Sequence, residues 1–451
     1  MKKYLSLLLV FVLLFTVAAC GKKEEPPVVE EPGAEVPAEP EKSAEEPSES
    51  DKSFSVQAEE GWKSYYEAAI ERFEANNPGV DVELKVVASF DHLDVIDSTD
   101  PTNEDVADVF ALPADRLFGL VGNEVLAPID ANAIADKVGG FADYNAGLGG
   151  AFSMDGEYFA FPMNIETLIA YANTANADEV GIDLNEAIEL NALDSTAVLI
   201  PSFDAWFGVA VANSSEVELL GMEEDGTLYS DMTLAWDELG SEKQATFEEL
   251  YTYWKNNFDA GTPMWDAEAA WGYMDSQFAT GEKGVLRISG PWDAASFSEQ
   301  AGNGDDLAIL PLGSITVAGK PLNHWKGGWG LGVNVRLEDD PQTLQLAELF
   351  IAELMDPAYA IDFYKAAGKI MENAPAEVYA SSDLPQSDKN IIDNVLASYE
   401  NAPARPLFTE WGNVWDTWKN GLLSWSAEKP ESAEEAYNLL KASFDAMMMS
   451  F

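Results

Sequence analysis

From residue 54 to residue 86 the hydrophobic positions change period twice. A short strand is expected from Phe54. Trp62, Tyr66, Ile70 and Phe73 then recur every three or four residues, with Ala69 on the same face, which predicts a helix with one buried side. Asn76-Asn77-Pro78-Gly79 stops it. Val80, Val82, Leu84 and Val86 alternate with Asp81, Glu83 and Lys85, a strand of period two. The β-α-β order predicts a parallel pair with a right-handed crossover. Further strands are expected at 106–112, 158–161, 168–172, 285–288 and 330–335. Phe247, Leu250, Trp254 and Phe258 mark a helix ending at Gly261, and Ala347, Phe350, Ile351 and Leu354 mark another. The last helix opens on the capping box Ser432-Ala433-Glu434-Glu435 and runs through Leu439 and Leu440 to Phe444. No internal period of about 20–50 residues stands out. The class is α/β, arranged as two lobes.

Charge removes several function classes. The 451 residues carry 25 Lys+Arg against 80 Asp+Glu, a net charge of -55, which leaves no basic footprint for nucleic acid or an anionic lipid surface. One Cys excludes a disulfide framework and thiolate metal centres, and two His, at 92 and 324, leave little for histidine metal sites. A hydrophobic content of 47% still marks a folded body.

Lys2 and Lys3 precede an apolar stretch, 4–17, broken only by Ser6 and Thr16; this is signal-peptide length rather than spanning length. It ends in Val17-Ala18-Ala19-Cys20-Gly21, which resembles a bacterial lipobox. That resemblance implies cleavage after residue 19, lipidation of Cys20, and anchoring to the cell membrane on its extracytoplasmic face. Residues 21–52 hold 11 acidic residues, 4 Lys and 6 Pro, with no large apolar side chain but valine. Such a stretch cannot offset its ordering entropy and reads as a disordered tether. The tether carries -7 and the leader +2, so -50 remains on the body.

Nucleotide and hydrolase motifs are absent: there is no GxxxxGK[ST], GxSxG or HExxH. Gly327-Gly328-Trp329-Gly330-Leu331-Gly332 lacks the GxGxxG spacing and reads as a strand with close backbone packing. The acidic run from Asp91 to Asp108 lacks a calcium-loop register and reads as a solvated loop. Neither metal nor cofactor is expected. Carboxylates and aromatic residues remain. Together they suit a neutral sugar, whose C–H face stacks on indole and whose hydroxyls pair with Asp, Glu and Arg. An acidic body repels anionic ligands and leaves a neutral one unopposed.

Four segments, in order, carry a family resemblance. They are Asp105-Val106-Ala107-Asp108-Val109-Phe110 leading to Ala114-Asp115-Arg116; Gly156 through Pro162 to Glu166; Phe278-Ala279-Thr280-Gly281-Glu282-Lys283 with Ile288-Ser289-Gly290-Pro291-Trp292; and Arg405-Pro406 to Trp415. Residues 53–451 thereby resemble the solute-binding proteins of bacterial ABC sugar importers, specifically the maltose/maltodextrin-binding group. The resemblance implies a type II periplasmic-binding-protein fold: two α/β lobes with a ligand cleft between them. Their expected extents are 53–163 with 312–368, and 164–311 with 369–451. Hinge crossovers are expected near 163–167, 310–313 and 367–371.

The resemblance also implies site residues. Asp115 and Arg116 match a hydroxyl-binding pair, although a loop ion pair would read the same way. Glu166 matches a sugar-binding acid or a crossover salt-bridge partner. Trp292 and Trp415 match stacking positions, with Trp411 and Trp418 taken as packing residues. Asp204 and Trp206 match an acid and a stacking aromatic. Trp271 falls near another aromatic position, with core packing an even alternative. Two departures stand out: Glu59-Glu60 occupies the place of an acid–lysine pair, and Leu112 stands where a tryptophan is expected. They put maltose itself in question and leave other neutral oligosaccharides open. The implied function is capture of sugar by lobe closure and delivery to a membrane permease, by a monomer without enzymatic activity. A secreted glycoside hydrolase would also pair carboxylates with tryptophans, but the candidate acids are assigned to different lobes. A non-sugar cargo is the third reading.

Overall fold

The computed structural model describes residues 52–192, 195–223 and 225–451. The leader, Cys20 and all of the 21–52 stretch but Lys52 lie outside the described residues. Lys52 itself is in a strand and pairs with Asp340 at 2.8 Å.

Two sheets organise the body. The first holds β1 (Lys52–Ala58), β2 (Val80–Val86), β3 (Val109–Pro113), β4 (Ala160–Glu166) and β9 (Gly327–Val333), in the order β2-β1-β3-β9-β4. The second holds β5 (Ile169–Asn173), β6 (Val198–Leu199), β7 (Leu286–Ser289) and β8 (Leu307–Leu310), in the order β8-β5-β7-β6. The expected β-α-β unit is present, with β1 parallel to β2 from Lys52↔Val80 to Ala58↔Val86 and α1 (Lys63–Asn76) between them.

Only Thr167 and Leu168 separate β4 in the first sheet from β5 in the second, and both are fully buried. A second connection runs from β8 to β9. The backbone carbonyl of Ile370 accepts from Ile165 at 2.9 Å, beside the first of these connections.

Each sheet is covered by helices whose apolar stripes it buries. On the first, Phe73 of α1 and Phe350 of α6 (Pro341–Leu354) meet Phe54 of β1 edge to face at ring separations of 6.2 and 5.8 Å, and each other at 5.2 Å. Around the second, α4 (Ser241–Ala260), α7 (Gly412–Glu428) and α8 (Ala433–Met448) bury Trp254, Trp418, Trp425, Tyr437 and Phe444. Ser432 caps α8 by accepting from Glu435 N at 3.2 Å, as its capping-box sequence predicts.

Pairing shifts several strand limits from the sequence expectation. The strand expected at 106–112 starts at Val109, because Val106 and Asp108 are held instead by the Arg336 guanidinium. The one expected at 330–335 is Gly327–Val333, flanked on both sides by antiparallel partners. Its glycines permit that fit: a Cβ on Gly330 would lie 2.6 Å from the buried Phe152 ring, and one on Gly332 would lie 2.6 Å from Leu126. The acidic run expected as a loop instead forms α2 (Ser89–Ser98) at its start. Both histidines are buried. His92 accepts from Ala107 N at 2.9 Å, and burial lowers its pKa to about 4.

Candidate functional site

A cavity of about 610 Å³ is lined by residues of the first sheet and its adjoining turn and helix, and by residues on helices, turns and loops around the second sheet. Phe90, Pro113, Asp115, Arg116, Glu166 and Trp329 belong to the first-sheet side, and Trp206, Trp292, Arg405 and Trp415 lie opposite in the fold. A larger groove, about 960 Å³, runs along β2; Asp81, Glu83, Glu104, Asp105 and Asp108 line it, and it has no tryptophan. Of these two, the smaller combines indoles with charged hydrogen-bonding groups.

β3 ends at Pro113, and the tight turn Ala114–Arg116 delivers Asp115 to the cleft. Asp115 Oδ2 accepts from Arg405 Nη2 at 2.6 Å, while its Oδ1 is buried without a hydrogen-bond partner in the protein. Arg116 turns its guanidinium to Asp97, with both contacts within 2.8 Å. Glu166 closes β4; its Oε2 accepts from Trp329 Nε1 at 3.2 Å, and Lys369 Nζ stands 3.8 Å from Oε1. The same ammonium lies 5.2 Å from the ring centres of Trp62 and Trp329.

The opposite side is built on helix starts and on α7. Asp204 caps α3 (Ala205–Ser214) by accepting from Trp206 N at 2.9 Å, and burial raises its pKa. The cap fixes Trp206 in the first turn, where its ring packs 4.5 Å from His324. His324 Nε2 donates to the Trp206 carbonyl at 2.9 Å, and complete burial lowers its pKa to about 3. Trp292 follows β7 in the turn Pro291–Asp293 and is 48% exposed. On α7, Trp415 is half-buried at the cavity and Trp418 is buried, as is Trp411 in the turn just before the helix. Trp418 Nε1 donates to Ser202 O at 2.8 Å. Arg405 enters this aromatic wall, its guanidinium 5.1 Å from Trp206, 5.4 Å from Trp325 and 5.9 Å from Trp415. Burial lowers its pKa, opposed by the charges of Asp115 and Glu166.

Six of the ten residues expected from sequence therefore line one cavity: Asp115, Arg116, Glu166, Trp206, Trp292 and Trp415. The other four do not. Asp204 serves as a helix cap, and Trp271, on α5 (Ala269–Phe278), packs edge-on against Phe207 at 5.6 Å. Glu59 Oε1 accepts from the backbone N of Ser89 at 3.2 Å, and Glu60 is exposed in the turn before α1. The sequence reading missed Phe90, Pro113, Trp329 and Arg405. Trp329 stands in register with Pro113, so an indole reaches the cleft from β9 where Leu112 on β3 stays in the core. A lone tryptophan among strand glycines was its only signal. Among the described residues no group of three or more His, Cys, Asp or Glu is arranged to hold a metal ion.

The profile of the family described as bacterial extracellular solute-binding protein matches residues 68–391. The chain belongs to that family. A maltodextrin-binding protein of Bacillus subtilis (strain 168), MdxE, is 24% identical over 404 residues, covering 86% of this chain and 89% of the relative. Among solved structures, the maltose-binding periplasmic protein MalE of Listeria monocytogenes, in complex with maltose, aligns with a TM-score of 0.67 at 18% identity. That alignment covers 89% of this chain and 99% of the other. MalX of Streptococcus pneumoniae, in complex with maltopentaose, aligns with a TM-score of 0.65 at 20% identity, covering 87% and 99%. These likenesses establish the type II periplasmic-binding fold. As a member of the solute-binding family the chain is a binding protein, not an enzyme.

Proposed function

We propose that this solute-binding protein captures a neutral oligosaccharide, in the first instance a maltodextrin, in the cleft between its sheets. The observation that carries the reading is the lining itself. Five aromatic side chains, Phe90, Trp206, Trp292, Trp329 and Trp415, share one cavity with Asp115, Glu166, Arg116 and Arg405. Indoles cover the C–H faces of sugar rings, and charged groups bond the hydroxyls at their edges. Asp115 Oδ1, buried and unpartnered, is an acceptor waiting for a hydroxyl donor. The maltodextrin-binding relative supports the choice of α-linked glucose.

Sugar touching both sides favours the closed arrangement by its extra affinity for that state. The moving bodies are then the two sheets with their helices, near the expected limits 53–163 with 312–368 and 164–311 with 369–451, but with β4 kept whole to Glu166 in the first body and 315–325 kept in the second. The closed form presents itself to the membrane permease of an ABC importer. Lipid at Cys20 and the acidic 21–52 tether keep the monomer at the extracytoplasmic face of the cell membrane.

Titration of the full-length protein with maltose, maltotriose, cello- and xylo-oligosaccharides, followed by tryptophan fluorescence, tests the proposal. A saturable response to maltotriose at about μM concentration, weakened in Trp292→Ala, is expected. A response confined to β-linked sugars removes the maltodextrin assignment and keeps sugar binding. Silence to every sugar overturns the reading.

A further inference from the structure

Lys369 is held in place from every side but makes no hydrogen bond with its ammonium. It follows Gly368, which ends the helix Ala360–Ala367 and whose N–H donates to Tyr364 O at 2.8 Å. It precedes Ile370, which is tied to Ile165 on β4. Its backbone is therefore fixed on both sides. The ammonium stands beside two indoles, 5.2 Å from the ring centres of Trp62 and Trp329, and only 15% of the side chain is exposed. Among the described residues Nζ has no acceptor within hydrogen-bond reach. Its ion-pair partner, Glu166 Oε1, is 3.8 Å away, roughly 1 Å beyond a charge-assisted hydrogen bond.

Glu166 is open toward the same gap. Its Oε2 accepts from Trp329 Nε1 at 3.2 Å, which fixes the carboxylate and leaves Oε1 facing the ammonium. Two polar atoms 3.8 Å apart leave room for one oxygen about 2.8 Å from each, set to the side of the line that joins them. A hydroxyl suits both at once, because its proton goes to the carboxylate while its lone pair accepts from the ammonium. We propose that Glu166 Oε1 and Lys369 Nζ bracket a single hydroxyl of the bound sugar, which makes Lys369 a specificity-determining residue of the cleft. This rests on the sugar-binding reading above. Glu166 and Trp329 both line the cavity, so the bracket lies at its wall. A sugar without that hydroxyl leaves an acceptor and a donor unpaired together, and both losses act against it.

Calorimetric titration of the full-length protein with maltotriose and a set of its monodeoxy derivatives tests the bracket. Lys369→Met keeps an apolar stem against the indoles and deletes the donor; it should weaken maltotriose binding about tenfold. In wild type one derivative, lacking the bracketed hydroxyl, should bind about ten- to hundredfold more weakly than maltotriose. Lys369→Met should shrink that derivative's penalty at least about threefold and leave the penalties of the others unchanged. A residue that served packing alone would weaken every derivative in parallel, and that result would overturn the proposal. An unchanged maltotriose affinity in Lys369→Met would overturn it too. Lys369→Gln carries the same comparison if urea unfolding shows that the methionine variant does not fold. Failure of the wild type to bind maltotriose would instead remove the maltodextrin reading itself, and the bracket with it.

Discussion

Arg405→Ala is the most informative single change, because it removes a cation that two sets of groups share. The guanidinium donates to Asp115 at 2.6 Å, and its side chain is 8% exposed against 27% for the carboxylate. Breaking a fully buried ion pair by deleting one partner costs about 3–5 kcal/mol. Asp115 keeps some contact with water, which brings that figure toward about 2 kcal/mol. Loss of the contacts with Trp206, Trp325 and Trp415 adds about 1 kcal/mol. A loss of about 2–4 kcal/mol in unfolding free energy is expected, read from urea unfolding monitored by tryptophan fluorescence. Asp115→Asn placed on top of Arg405→Ala should recover about 1–2 kcal/mol, since it neutralises the stranded charge. A loss below about 0.5 kcal/mol, or strictly additive single changes, would refute the reasoning and mark the pair as screened by water.

On α7, Trp415→Ala should weaken oligosaccharide binding by about tenfold with little loss of stability, whereas Trp418→Ala should cost about 3–5 kcal/mol of stability; the two swap roles if the helix register is wrong. His324 is neutral in the fold with its pKa lowered to about 3, so the unfolded chain binds the proton first as pH falls below its ordinary value. The stability advantage of wild type over His324→Phe should shrink by up to about 1.4 kcal/mol per pH unit below about 6.5, and a pH-independent difference in urea midpoints would contradict this. Gly328→Ala should cost at least about 1–3 kcal/mol, because a Cβ there overlaps the carbonyl oxygen of Asn164 on β4; a thermal midpoint equal to wild type would show that the strands can part.

Local periodicity was enough for some elements. Alternation along Val80–Val86 and the helical recurrence from Trp62 to Phe73 placed the first β-α-β unit, because burial of one face imposes its period on the chain. The family resemblance carried by the segments around Asp115, Glu166, Trp292 and Trp415 named six of the ten residues that line the cavity, which periodicity alone did not single out. Tertiary structure decided the rest. Whether Asp204 holds a sugar or a helix end depends on which amide lies within 3 Å, and Trp206 N takes it. Glu59 went to the Ser89 amide for the same reason. Trp329 reaches the cleft because β9 lies between β3 and β4, a pairing of strands more than 150 residues apart in the chain. Arg405 meets Asp115 across 290 residues. No window of sequence contains such pairs: side-chain chemistry is written locally, but the partner that gives it a role is chosen by how the two sheets pack.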